Sequence, residues 1–283
     1  MVFCYLLQNR TFFGIIYVVK NMTKDILSVN GIKKYLKEAD YKIEVYDCLD
    51  STNALLKTRA QQGESEWTVI IADSQTSGRG RMTRKFYSPK NCGIYMSVLL
   101  KPCLPADKSV LITAAAAVAV SKAIENLSSK ETKIKWVNDI FIENRKVCGI
   151  LTEGGINPEN MGFRWAVLGI GINVYTPDGG FDDEISNIAG AVFETRSVDG
   201  RNRLVAEILD LFRLYYESLE SKSFFPEYKK RMLNIGKEIN VIKGEEIKKA
   251  YCLDVDSDCR LKVCYPDNSQ ELLTSGEISI RTV

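Results

Sequence analysis

The stretch Gln75-Thr76-Ser77-Gly78-Arg79-Gly80-Arg81-Met82-Thr83-Arg84-Lys85-Phe86-Tyr87-Ser88-Pro89 is the most unusual in the chain. No acidic residue lies between Asp73 and Asp107, yet Arg79, Arg81, Arg84, Lys85, Lys90 and Lys101 all fall there. Glycine alternates with arginine, so backbone can approach an anion closely while guanidinium forks grip it. Such a loop fits a phosphate or a carboxylate; the competing reading is a basic solvated loop touching RNA. A second cluster, Lys135-Trp136-Val137-Asn138-Asp139, is followed by Lys146 and Gly149-Ile150-Leu151. On a strand, Lys135, Val137 and Asp139 would point one way and Trp136 and Asn138 the other. A carboxylate and a lysine on paired strands of a hairpin can converge on one pocket; the plainer alternative is a surface ion pair of little energetic weight. A third cluster, Asp50-Ser51-Thr52-Asn53, reads by itself as the N-cap of a helix over 54–61, with any ligand role additional. The fourth, Gly169-Ile170-Gly171-Ile172-Asn173, lacks the third glycine of a dinucleotide fingerprint.

Composition narrows the chemistry further. The 283 residues contain no histidine, which excludes Ser-His-Asp and Cys-His catalysis, His-ligated metals and histidine pH switching. Apolar residues make up 45% and charged residues 26%, enough to bury a sizeable core. Net charge is 38 − 36 = +2, so no global field argues for nucleic acid or membrane. The eight cysteines form no C-x-x-C pair and sit among apolar neighbours, which points to a reducing, cytoplasmic compartment. Residues 1–19 are rich in apolar residues, but Arg10 interrupts them and the run from Thr11 to Val19 is too short to span a bilayer. Residues 1–21 are expected to lie upstream of a true start at Met22.

The elements that must position these clusters follow from periodicity. A short helix is expected over 25–37 with Ile26, Ile32 and Leu36 inward, and strands over 42–46, 67–72 and 94–100. The Ala-rich segment 110–127 should be a helix packed closely on a sheet. Runs at 134–142 and 147–153 read as a hairpin-like pair, and 164–173 as a further strand. A second helix should cover 203–219, with Leu204, Ile208, Leu211, Phe212, Tyr215 and Leu219 facing a core. After Gly236, short strands over 238–241, 248–255, 260–265 and 277–283 suggest a small β-barrel. The fold class is α+β: a mixed, largely antiparallel sheet with helices, then a β module.

With its clusters in this order and at roughly this spacing, the sequence resembles the biotin protein ligases over about residues 45–283. Ser275-Gly276-Glu277-Ile278-Ser279-Ile280-Arg281 is also similar to the last strand of that family's SH3-like domain. The resemblance implies a mixed sheet of the class II aminoacyl-tRNA-synthetase and biotin-ligase kind over 46–233, an SH3-like C-terminal domain over 234–283, and an N-terminal extension over 1–45. It implies synthesis of biotinyl-5′-AMP from biotin and ATP, with Mg²⁺ held mostly by phosphate oxygens and water and with no protein metal site. Biotin is then transferred to a lysine of a biotin carboxyl carrier domain of a carboxylase.

By the same resemblance, Ser51, Thr52, Asn53 and Gln75 serve the biotin ring end. Arg79, Gly80, Arg81, Lys146, Gly149 and Leu151 complete the biotin site. Arg81, Arg84, Phe86, Asn138, Lys146 and Asn173 serve ATP, and Lys146, Asp139 and Arg81 carry the catalysis. Asp139 either deprotonates the carrier lysine or mainly holds Lys146 or Mg²⁺. The chain departs from the family pattern where Phe86 replaces a usual Trp and Val137 a usual Pro. A homodimer is compatible with the resemblance. Lipoate ligases carry a histidine-containing glycine-rich motif that this chain lacks. A DNA-binding repressor would need a winged helix of roughly 60 residues before Asp47, and no basic recognition helix is evident there. A non-catalytic binding protein is disfavoured by the presence of both Lys146 and Asp139.

Overall fold

The structure is a computed structural model describing residues 25–37, 40–82, 84–274 and 278–282. The expectations for residues 1–21, for Met22, and for Ser275, Gly276 and Glu277 lie outside the described residues.

Seven strands form one sheet: β1 (Lys42–Tyr46), β2 (Thr68–Ala72), β3 (Gly93–Leu100), β4 (Lys133–Lys135), β5 (Asp139–Ile142), β6 (Arg145–Ile156) and β7 (Phe163–Asn173). Their spatial order is β1-β2-β3-β7-β6-β5-β4, with β1 and β2 parallel and the other pairs antiparallel. Both faces are covered, which explains the near-continuous apolar runs of β2 and β3. Strand alternation then divides the residues. Met96, Val98, Ile150, Leu168, Ile170 and Ile172 join the main core. Their neighbours Tyr95, Ser97, Gly149, Leu151, Gly169 and Gly171 therefore face the other way. Registers align Ser97, Gly169 and Leu151 in one cross-strand row, and Tyr95, Gly171 and Gly149 in the next.

On the core face lies α3 (Ser109–Ser128), whose alanines at 114–117, 119 and 123 are fully buried and let the helix sit close to the sheet. It is long and apolar enough to cross a membrane, but 78% of that window is buried inside the protein, as in a core helix. Helix α5 (Gly200–Glu217) packs on α3 and buries Leu204, Ile208, Phe212 and Tyr215. On the opposite face, α2 (Thr52–Gln61) packs Leu56 and Ala60 against Ile70, Leu99 and Val167. Ser51 caps α2 by accepting from the Ala54 N–H. Helix α4 (Asp183–Ser186) is a single turn.

Three expectations need correction. The helix expected over 25–37 shrinks to α1 (Val29–Lys33), with Ile32 inward but Ile26 57% exposed and Leu27 buried in its place. The cause is polar: Asn202 holds the Ser28 N–H and the Ile26 carbonyl, so the chain before α1 follows the start of α5 rather than coiling. Second, 134–142 is not one strand, because residues 136–138 form a turn between β4 and β5 and Lys135 pairs with Asp139. Third, helix α6 (Phe225–Arg231) was not foreseen; its Tyr228 is buried and its Arg231 pairs with Glu125 and Glu227.

The C-terminal strands form a second, wholly antiparallel sheet in the order β11-β10-β9-β8-β12. They are β8 (Glu238–Lys243), β9 (Glu246–Val255), β10 (Leu261–Cys264), β11 (Gln270–Leu273) and β12 (Ile278–Thr282). Only β11 escaped the sequence reading.

Candidate active site

A cleft opens between the basic loop and the outward rows of the large sheet. Every residue named above for biotin or ATP lines it except Asn173. Asn173 ends β7 opposite Gly93, outside the cleft wall.

The loop is a narrow hairpin. Gly80 N–H donates to the Arg84 carbonyl at 2.7 Å and Phe86 N–H to the Gly78 carbonyl at 2.9 Å, with Arg79 and Lys85 bridged between them. This folds the Phe86 ring back onto the Tyr95–Gly171–Gly149 row. A Cβ on Gly171 would lie 2.6 Å from the ring, and Tyr95 meets it edge-on at 6.3 Å between centroids. Gly169 performs the same service for Asn53, whose Oδ1 would be 2.2 Å from a Cβ at that position. The glycines that made an incomplete dinucleotide fingerprint are therefore floor positions on which two site side chains lie.

The polar end is a connected network. Thr52 donates through its backbone N–H to Gln75 Oε1 at 2.9 Å, and Gln75 Nε2 donates to Ser88 at 3.0 Å. Ser97 Oγ stands 2.8 Å from Thr52 Oγ1 and 2.6 Å from Asn53 Oδ1. Asn53 Nδ2 donates to Glu153 at 2.9 Å, and Glu153 pairs with Lys57 at 2.7 Å. Sequence reasoning missed Ser97, Glu153 and Lys57. The i,i+4 spacing of Asn53 and Lys57 on α2 was their one visible signal.

The charged end is built on the β4–β5 turn. Trp136 and Val137 turn inward: Trp136 N–H donates to Asn234 Oδ1 and its indole N–H to the Cys259 carbonyl, both at 2.9 Å, while Tyr228 O–H donates to the Val137 carbonyl. The Trp136–Val137 peptide is cis. With those two residues clamped, Lys135, Asn138 and Asp139 line the cleft together with Trp136. Asn138 Nδ2 donates to the Ile150 carbonyl and its Oδ1 accepts from Arg81 at 3.2 Å. Lys146 meets Asp139 at 2.7 Å, with side chains 30% and 22% exposed. Burial pushes the Arg81 guanidinium below its ordinary value; the Asp139 charge opposes this and the Arg84 charge reinforces it.

Among the described lining residues, six are basic (Arg79, Arg81, Arg84, Lys85, Lys135 and Lys146) and one, Asp139, is acidic. Such a surplus suits a ligand with several negative charges. No cluster of three or more His, Cys, Asp or Glu side chains able to hold a metal exists among the described residues.

One prediction arises from the floor. Gly169→Ala should push Asn53 off its seat, an overpacking that costs about 1–3 kcal/mol. Calorimetry should show ligand affinity at the polar end falling about tenfold or more on that scale, with the melting transition still cooperative. Unchanged affinity would show that Asn53 plays no part in that end of the site.

The chain is similar to known proteins over both of its sheets. The model of the biotin/lipoate A/B protein ligase family matches residues 45–173, and that of the biotin protein ligase C terminal domain matches residues 235–281. A bifunctional ligase/repressor BirA of Bacillus subtilis is 37% identical over 183 residues, 64% of this chain and 55% of that protein. The chain therefore spans about half the length of such curated relatives. A biotin–[acetyl-CoA-carboxylase] ligase of Mycobacterium tuberculosis is 27% identical over 78% of this chain and 82% of its own. Among solved structures, the Aquifex aeolicus biotin protein ligase in complex with biotin and ATP superposes with a TM-score of 0.69 at 25% identity, covering 86% of this chain and 99% of that one.

Proposed function

We propose that the chain is a biotin protein ligase, which joins biotin to ATP as biotinyl-5′-AMP and then transfers biotin to a lysine of a carboxylase's biotin carboxyl carrier domain. The observation that carries this reading is the pairing, within one cleft, of a neutral hydrogen-bonding end at Thr52, Asn53 and Gln75 with a charged end of six cations. Biotin is a polar ring on an apolar tail that ends in a carboxylate; ATP brings three phosphates.

In the first step a biotin carboxylate oxygen attacks the α-phosphorus and pyrophosphate leaves. Both reactants are anionic, so fixed cations matter more than a histidine base. Lys146 sits at the reacting oxygens and offsets the charge that develops on them. Arg79 and Arg81 close over biotinyl and phosphate groups, and Arg84 reaches the outer phosphates. Phe86 offers its ring face, and Asn138 contacts the nucleotide. Asn173, at the end of β7, would reach the nucleotide only beyond the cleft lining. Mg²⁺ held by the nucleotide's phosphate oxygens and water would supply neutralising charge to the pyrophosphate; the lining offers one carboxylate, Asp139, and no cluster able to cage the ion among the described residues. In the second step the carrier lysine attacks the acyl carbon and AMP leaves. Asp139 accepts the proton that the amine must lose.

We assign these steps to residues 46–233 and a bracing role to the C-terminal sheet, which holds Trp136 through the Cys259 carbonyl. We place the site of action in the cytoplasm, the reducing compartment to which the scattered cysteines point. Incubation with biotin, ATP and a purified carrier domain should add one biotin at a single lysine, read by mass spectrometry. Lipoyl addition in place of biotinyl addition would overturn the proposal.

A further inference from the structure

The direction of the hydrogen bonds at the neutral end is set from outside the cleft. Asn53 has two polar partners: Ser97, which can donate or accept, and Glu153, which as a carboxylate can only accept. Glu153 therefore decides which way the Asn53 amide faces. With Nδ2 committed to Glu153, Oδ1 must take the Ser97 proton. Ser97 has one proton, so it has none left for Thr52 Oγ1, 2.8 Å away. The Thr52 proton is in turn used inside the wall, on Ser97 or on Gln75 Oε1 at 3.2 Å. Thr52 lines the cleft, and its Oγ1 keeps an acceptor position for an N–H group. Glu153 itself is not part of the cleft lining.

Resting on the functional reading above, we propose that Glu153 is a specificity-determining positioning residue: by fixing the Asn53 amide it orients the Ser97–Thr52 chain so that the site accepts from a ring N–H and selects a ureido head over a dithiolane. Glu153 is well placed to remain ionised. Burial alone would raise its carboxyl, but the bonds from Lys57 and Asn53 and the charge of Arg79 hold it below its ordinary value.

The two oxygens of Glu153 do separate jobs, which makes an isosteric test possible. Oε1 pairs with Lys57 at 2.7 Å and Oε2 accepts from Asn53 at 2.9 Å. In Glu153→Gln the single amide oxygen goes to the Lys57 ammonium, which can only donate. The Gln amide N–H₂ then faces Asn53 and forces its amide to turn. Asn53 Nδ2 next donates to Ser97, and the Ser97 proton passes to Thr52 Oγ1, taking up a lone pair that the ligand needs. Adding Lys57→Met removes the competing donor, so the Gln oxygen returns to Asn53 and the original direction is restored.

Binding of biotin and of lipoic acid is measured by calorimetry on the full chain, with ATP binding as the internal control. Glu153→Gln should weaken biotin about 10- to 100-fold, the scale of a mispaired buried hydrogen bond. Lipoic acid binding and ATP binding should each stay within about twofold, well below that scale. The Glu153→Gln/Lys57→Met pair should recover most of the lost affinity. Unchanged biotin affinity in Glu153→Gln, parallel losses for biotin and ATP, or no recovery in the pair would each overturn the proposal while leaving the ligase reading standing. Wild-type protein that binds no biotin would overturn both.

Discussion

Lys146→Ala should lower biotin-dependent exchange of pyrophosphate into ATP by about 10²–10³-fold, the cost of removing one fixed charge-stabilising group from an acyl-transfer site. The fold should survive, because the Lys146 backbone is clamped independently of its side chain. Its N–H donates to the Ile188 carbonyl at 2.8 Å and its carbonyl accepts from Gly190 at 2.9 Å. The side chain is partly exposed, so truncation opens no core cavity. It does leave Asp139 without its 2.7 Å partner, in a cleft where five other lining cations remain. Exchange rate and melting temperature together decide the matter. A variant with full exchange would reduce Lys146 to a hairpin surface residue.

The second large effect separates making the intermediate from keeping it. Arg81 lines the cleft, its guanidinium donating to Asn138 Oδ1 at 3.2 Å. Burial makes its charge costly, and closing on phosphate and carboxylate oxygens relieves that cost. Arg81→Gly removes one fork and loosens the hairpin tip, while Lys146 and Asp139 stay in place. The variant should still form biotinyl-AMP but release it early, and the freed mixed anhydride should acylate lysines on unrelated proteins. Avidin blotting of bystander protein, at matched adenylation rates, should show several-fold more label than wild type. Equal labelling would mean that Arg81 does not retain the intermediate.

Most strands and both long helices were legible in the sequence, and so were the residue types that line the cleft. Arginine and glycine in alternation, a capped helix start and a Lys–Asp pair announce their chemistry by residue type, and the cleft gathers them. What stayed hidden depends on neighbours distant in sequence. Ser97 sits in an apolar run that reads simply as a buried strand, and only the register with Gly169 shows that it lies beside Asn53. Glu153 is separated from Asn53 by 100 residues. The reading of Lys135 to Asp139 as strand failed because Trp136 and Val137 are drawn inward by Asn234, Cys259 and Tyr228, all from the far end of the chain. The helix at Phe225–Arg231 was missed because it is short and held by Arg231 with Glu125, a tertiary pair that periodicity does not register. Gly169 and Gly171 lack the third glycine of a dinucleotide fingerprint, and their use shows only in three dimensions. Their lack of side chains makes room for Asn53 and Phe86.

The most direct test of the central claim is exchange of labelled pyrophosphate into ATP by the purified wild-type chain, with biotin, with lipoic acid and with neither. Label should enter ATP with biotin, and with the other two it should stay near the blank. No exchange with biotin, or exchange that lipoic acid supports equally well, would contradict the assignment of this cleft to biotin adenylation.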